Sequence, residues 1–183
     1  MTGVSKMTAI EECMKILEDA RYSDKPWEKV KKLADGQGKS PGQKAVEEIE
    51  GIIKSKKDIG ELSNKELIEY GEIVGAYLVA INLKTNQIRK FLDAIRQLEN
   101  NVVRKVVEKG EKDFSKEELL LLKVHLAYAA GREEKVKPFM RVVNAVIDKA
   151  REKGKEGFED FKKGVKFIES IIAYHKFYGG KEN

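Results

Sequence analysis

Positive charge is the main chemical resource of this sequence. Lys84, Arg89, Lys90 and Arg96 belong to one helical stretch, LKTNQIRKFLDAIRQLENNVVRKVVEK, residues 83–109. Within it Ile88, Phe91, Leu92, Ile95, Leu98, Val102 and Val106 recur at spacings of three and four, which is one face of a helix. Arg89, Asp93, Arg96, Asn100 and Arg104 recur on the opposite face. Thr85 stands just before the pattern, where its hydroxyl would accept a free N–H of the first turn. Lys84, Asn86, Gln87, Arg89 and Lys90 crowd that first part. Cations there oppose the helix macrodipole, so their presence points to a task such as holding a phosphate. The competing reading is a solvated face rich in Lys and Arg. Lys123, Arg132, Lys135, Lys137 and Arg141 follow along the chain. In an antiparallel bundle the helix end at Arg132 would approach the start at Thr85 and gather one basic face.

Other chemistry is scarce. His125 and His175 are the two histidines, and neither has a metal-ligand spacing. His125, between Val124 and Leu126, reads as a satisfied core residue. His175 stands among Tyr174, Lys176, Phe177 and Tyr178, a cluster that can stack on bases but reads first as helix-end packing. Cys13 is the single cysteine, so no intramolecular disulfide is possible; an intracellular, packed thiol is expected. Gly-x-Ser-x-Gly is absent. The stretch 36–40 ends in Gly-Lys-Ser, but Leu33 stands where a phosphate loop needs its leading Gly. Glu47, Glu48 and Glu50 read as a solvated face. No catalytic residues, cofactor or metal are therefore expected.

The elements that must position these groups are helical. Thr8 with Glu11, Ser63 with Glu66, and Ser115 with Glu118 have the capping-box spacing. They open helices to about Arg21, from Asn64 to about Ile81, and from Lys116 to Ala130, where Gly131 breaks the last. That third helix is apolar nearly all round, so it is expected to be the most buried. Pro26, Pro41 and Pro138 mark other helix starts. The final helix runs from about Glu156 to Phe177 and ends at Gly179 and Gly180. Gly71 and Gly75 are spaced for a close helix approach. The short turn before Thr85 suggests that the helices on either side pack as an antiparallel pair. The expected fold is all-α: a bundle of five to six helices over 44–180, a flexible linker at 36–43, and an N-terminal helical appendage at 1–35.

Composition allows this without deciding it. The chain has 183 residues, 37% of them charged, with 36 basic against 31 acidic groups, a net charge of +5 and a pI near 9.0. A mildly basic balance permits a polyanionic partner but does not require one. Gln is rare while Lys and Glu dominate, which is the bias of thermophile proteins. No signal-peptide core and no spanning apolar run stand out, so a cytoplasmic chain without membrane contact is expected.

Three stretches carry a family resemblance: LKTNQIRKF at 83–91, KVHLAYAAGR at 123–132 and FIESIIAYHKFYGG at 167–180. In this order they resemble the small subunit of the type III-A CRISPR (Csm) effector complex. The resemblance covers roughly Leu83 to Gly180. It implies a helical, non-enzymatic subunit whose copies stack head to tail along the guide RNA–target RNA duplex, beside the backbone and large subunits. On matching positions it makes Lys84, Gln87, Arg89, Lys90, Lys123 and Arg132 RNA-facing. Arg96, Lys137 and Arg141 complete the candidate RNA-binding set. The alternative is a helical adaptor whose basic face binds acidic protein partners without RNA.

Overall fold

The computed structural model describes residues 7–181, the side chains of Asp113 and Glu118 excepted. Among the described residues eight α-helices follow one another: α1 (Ala9–Arg21), α2 (Pro26–Val30), α3 (Pro41–Ser55), α4 (Asn64–Ala80), α5 (Thr85–Lys109), α6 (Glu117–Arg132), α7 (Lys137–Lys149) and α8 (Gly154–Phe177). Among the described residues there is no strand, only a lone antiparallel bridge between Ser115 and Lys153. The all-α expectation holds, with somewhat more helices than five to six.

Local chemistry explains most helix starts. The Thr8 Oγ1 accepts the Glu11 N–H at 3.1 Å, and the Glu11 carboxylate accepts the Thr8 N–H at 2.9 Å. Ser63 and Glu66 repeat this at 3.1 and 2.7 Å. Pro26, Pro41 and Pro138 sit in first turns, where a missing N–H costs nothing. The capping box expected at Ser115 is different. Helix α6 begins at Glu117, and the Ser115 Oγ accepts the Glu117 N–H instead. The Glu118 side chain lies outside the described residues. Gly131 does not break α6, which continues through it to Arg132.

Helix α4 is the centre of the fold. It is buried without interruption from Tyr70 to Leu78. Helix α8 lies along it, and the two glycines permit the approach. A Cβ on Gly71 would run into the Ser170 side chain, and one on Gly75 would come within 2.5 Å of the Ile171 carbonyl oxygen. Two expectations fail here. Helix α6 is not the most buried helix: Leu120, Leu121, Val124 and Tyr128 are 45–68% exposed. His125 is exposed with them, so it is no core histidine. Nor do α4 and α5 pack as an antiparallel pair. Asn82, at φ 58°, lies between them, and α5 packs chiefly on α6 and α8.

The N-terminal helices share the core. Cys13, Leu17, Val30 and Leu33 are fully buried in one cluster with α3, α4, α7 and α8. Burial first, then Glu12 and Glu48, raises the Cys13 thiol to about 12, so it stays protonated. Arg21 holds Glu72 with two hydrogen bonds of 2.7 Å, and the Tyr178 hydroxyl donates to the same carboxylate at 2.5 Å. The stretch 36–43 is shorter as a connection than expected, because Pro41, Gly42 and Gln43 already form the first turn of α3. The exposed turn is 35–39, with Gly36 and Gly38 at positive φ.

The Glu47, Glu48 and Glu50 set is also corrected. It is not a solvated face but a seam between helices. Glu50 is buried and accepts from Lys54 and Arg141, each at 2.6 Å. Glu47 pairs with Lys39 at 2.7 Å and Arg141 at 3.5 Å, and Glu48 accepts the Ile10 N–H at 3.2 Å.

Candidate nucleic-acid interface

Helix α5 is amphipathic along its length. Ile88, Phe91, Ile95 and Val102 are buried, and the Phe91 ring meets Phe139 of α7 edge-on at 5.3 Å. Arg89, Asp93, Arg96, Asn100 and Arg104 form the exposed stripe opposite, as the spacing requires. Burial of one face thus aims the other at solvent.

The start of α5 is built differently from the sequence expectation. Lys84, not Thr85, is the cap residue, and its N–H donates to the Gln87 Oε1 at 2.9 Å. The Thr85 N–H donates to the Lys181 carbonyl at 2.8 Å, while the Thr85 Oγ1 is buried without a partner among the described residues. The Gln87 Nε2 donates to the Glu133 carboxylate at 3.0 Å. This bond brings the end of α6 beside the start of α5, as the antiparallel reading supposes. The Lys135 N–H and the Gln87 amide hold the Glu133 carboxyl below its ordinary value.

The nine candidate residues do not form one patch. Lys84, Arg89, Lys90 and Arg96 are exposed along α5. Arg132, exposed at the end of α6, lies over the Tyr128 ring at 5.7 Å. Gln87 uses both ends of its amide on protein groups. Lys123 pairs with Asp148 at 2.6 Å and lies about 14 Å along α6 from Arg132, at 1.5 Å per residue. Lys137 pairs with Glu134 at 2.6 Å. Arg141 is turned away onto α3 by Glu47 and Glu50.

His175 is buried, as helix-end packing predicts, with Nε2 2.8 Å from the Leu83 carbonyl oxygen. Burial is the main cause that lowers its pKa, so the ring is neutral near pH 7 and Nε2–H donates. Tyr178 is buried with it, while Phe177 remains 53% exposed.

One surface was missed by spacing arguments. Leu121, Val124 and Tyr128 make an exposed apolar stripe on α6, and Val103 and Val107 are exposed on the neighbouring α5. The signal was present as an all-round apolar pattern, which says that a helix needs covering but not by what. Among the described residues no group of three or more His, Cys, Asp or Glu is placed to hold a metal. None of the described helices is long and apolar enough to cross a membrane.

Residues 61–181 match the family model described as Csm2 Type III-A. The CRISPR system Cms protein Csm2 of Enterococcus italicus is 34% identical over 102 residues, which is 52% of this chain and 68% of that protein. The protein of the same description from Streptococcus thermophilus is 31% identical over 100 residues, 55% of this chain and 76% of that protein. The matched stretch holds α4 to α8, the glycine-packed pair at its centre and all nine candidate residues. The chain therefore belongs to the Csm2 family and is a small subunit of a multi-subunit type III-A CRISPR effector complex.

Proposed function

We propose that this subunit is a non-catalytic scaffold that binds RNA backbone through α5. Copies of it stack head to tail along the guide RNA–target RNA duplex in the cytoplasm, beside the backbone and large subunits. The observation that carries this reading is the exposed α5 stripe. Arg89, Lys90 and Arg96 face solvent there, with Lys84 at the helix cap and Arg104 further along the same exposed side. A row of exposed cations on one helix face suits the phosphates of an RNA backbone. Recognition by charge and shape suits the task, because sequence is read by guide–target pairing. The exposed apolar stripe on α6 supports protein contacts of the same subunit, which is also the feature that favours the adaptor reading.

Arg89→Ala tests the proposal. Arg89 is exposed, so the melting temperature is expected to stay nearly unchanged. Filter binding of unstructured RNA is expected to weaken by about 1–2 kcal/mol, the value of a charge-assisted contact. If the variant binds RNA as the wild type does, Arg89 serves as an i,i+4 surface partner of Asp93, worth at most about 0.5 kcal/mol, and the RNA face is wrongly assigned.

A further inference from the structure

A basic cleft of about 510 Å³ opens at the edge of the fold where three separate segments meet. Trp27 and Lys31 come from α2 and the turn after it. Asn82 and Lys84 come from the connection between α4 and α5, and Gly179 and Lys181 follow α8. The volume falls in the range of about 300–1,000 Å³ usual for small-ligand clefts. Three lysines line it, and no acidic residue does among the described residues. Trp27 is 44% exposed, and its Cβ rests against the bare Cα of Gly179: a side chain there would come within 3.2 Å of it.

The walls are braced before any ligand arrives. The Thr85 N–H donates to the Lys181 carbonyl at 2.8 Å, and the Gly180 N–H donates to the His175 carbonyl at 2.9 Å. The His175 ring then ties Leu83, another wall residue, at 2.8 Å. Asn82 is the one non-glycine residue at positive φ among the described residues, and it lies on this wall. Backbone in that region is uncommon and gathers at functional sites.

A half-bare indole beside three lysines, with no acidic residue among the described lining residues, matches a ligand that is flat at one end and negative at the other. A nucleotide is such a ligand. An apolar molecule would leave the lysines unused, and an acidic peptide would leave the indole unused. We propose that the cleft takes one unpaired nucleotide of single-stranded RNA. Its base stacks on Trp27, and Lys31, Lys84 and Lys181 neutralise its phosphates. This rests on the RNA-binding reading and adds a contact from outside the matched family stretch, because Trp27 and Lys31 precede residue 61.

Trp27 is the only tryptophan, so its emission reports the cleft directly. Titration of the full chain with a short oligoribonucleotide is expected to quench that emission to saturation, and salt is expected to reverse it. Trp27→Ala is expected to bind the strand about 5- to 150-fold more weakly, the range for one lost base–aromatic stack. Trp27→Phe is expected to recover most of the affinity, and circular dichroism checks that both variants fold. Lys31→Gln is expected to make the log–log salt slope shallower by about 0.7. Adenosine monophosphate is expected to quench far more weakly than the strand; equal affinity would overturn the strand assignment. Equal quenching by polyglutamate would overturn the nucleotide assignment. If RNA binds with dependence on Arg89 while Trp27 emission and Trp27→Ala binding stay at wild-type levels, the cleft proposal falls and the α5 reading stands. If no RNA binds at all, both fall.

Discussion

Glu72 is a carboxylate with almost no water around it, 2% exposed, held by a guanidinium and a phenol. Its partners come from α1 and from the residue after α8, so one buried charge ties three segments of the chain. Glu72→Ala is expected to destabilise the fold by about 3 kcal/mol in urea unfolding. That is the low end for a broken buried pair, because the Arg21 side chain stays about a third exposed. A loss under ~1 kcal/mol would show that the network does not anchor α1. His175 gives a pH dependence. Its folded pKa is below the ordinary 6.5, so the unfolded chain binds the extra proton first. Stability is therefore fully present above about 6.5 and falls as pH drops from there towards the depressed folded value. Glu47, Glu50 and Glu66 are also shifted down, so their contribution is lost only below about 4.5. Melting followed from pH 7 to 5 should show the first drop, and His175→Gln should flatten it. A flat wild-type profile in that window would contradict the buried, neutral imidazole. Residue roles were legible in the sequence where one helix decided them, as for exposed Arg89 and Arg96. They were hidden where a distant partner decided them. Arg141 looked like a free cation, but Glu50, 91 residues away, takes it.

At the scale of elements, glycine position separates two kinds of contact. Gly75 faces the backbone of α8, and a Cβ there would meet the Ile171 carbonyl oxygen and the His175 nitrogen at 2.5 and 2.8 Å. Gly75→Ala is expected to destabilise by about 1–3 kcal/mol through overpacking, despite the better helix propensity of Ala. Gly51, exposed on α3, has nothing within 4 Å of such a Cβ. Gly51→Ala is expected to stabilise by about 0.5–1 kcal/mol. Thermal or urea unfolding of the two variants checks both signs, and equal effects would contradict the α4–α8 approach. Helix positions were legible because caps, prolines and apolar periodicity are local. Helix partners were not. The short turn before α5 suggested antiparallel packing on α4, but connection length does not fix direction, and Asn82 sends the chain elsewhere. The apolar surround of α6 reads identically whether its own chain covers it or another molecule does.

The molecule as a whole has a basic α5 face, an exposed apolar stripe on α6 and an N-terminal region packed into the shared core. Limited proteolysis is expected to cut first in the exposed turn 35–39. The two fragments are expected to stay associated, because Cys13, Leu17, Val30 and Leu33 remain in the common core. First cuts within 64–180 would contradict this. The central claim is that RNA is held by its phosphates, whatever its sequence. Its most direct test is the affinity of the full chain for two unrelated single-stranded RNAs, measured across salt. With roughly four phosphates neutralised, both RNAs are expected to give the same log–log slope of about −3. A salt-independent affinity, or strong preference for one of the two sequences, would contradict it.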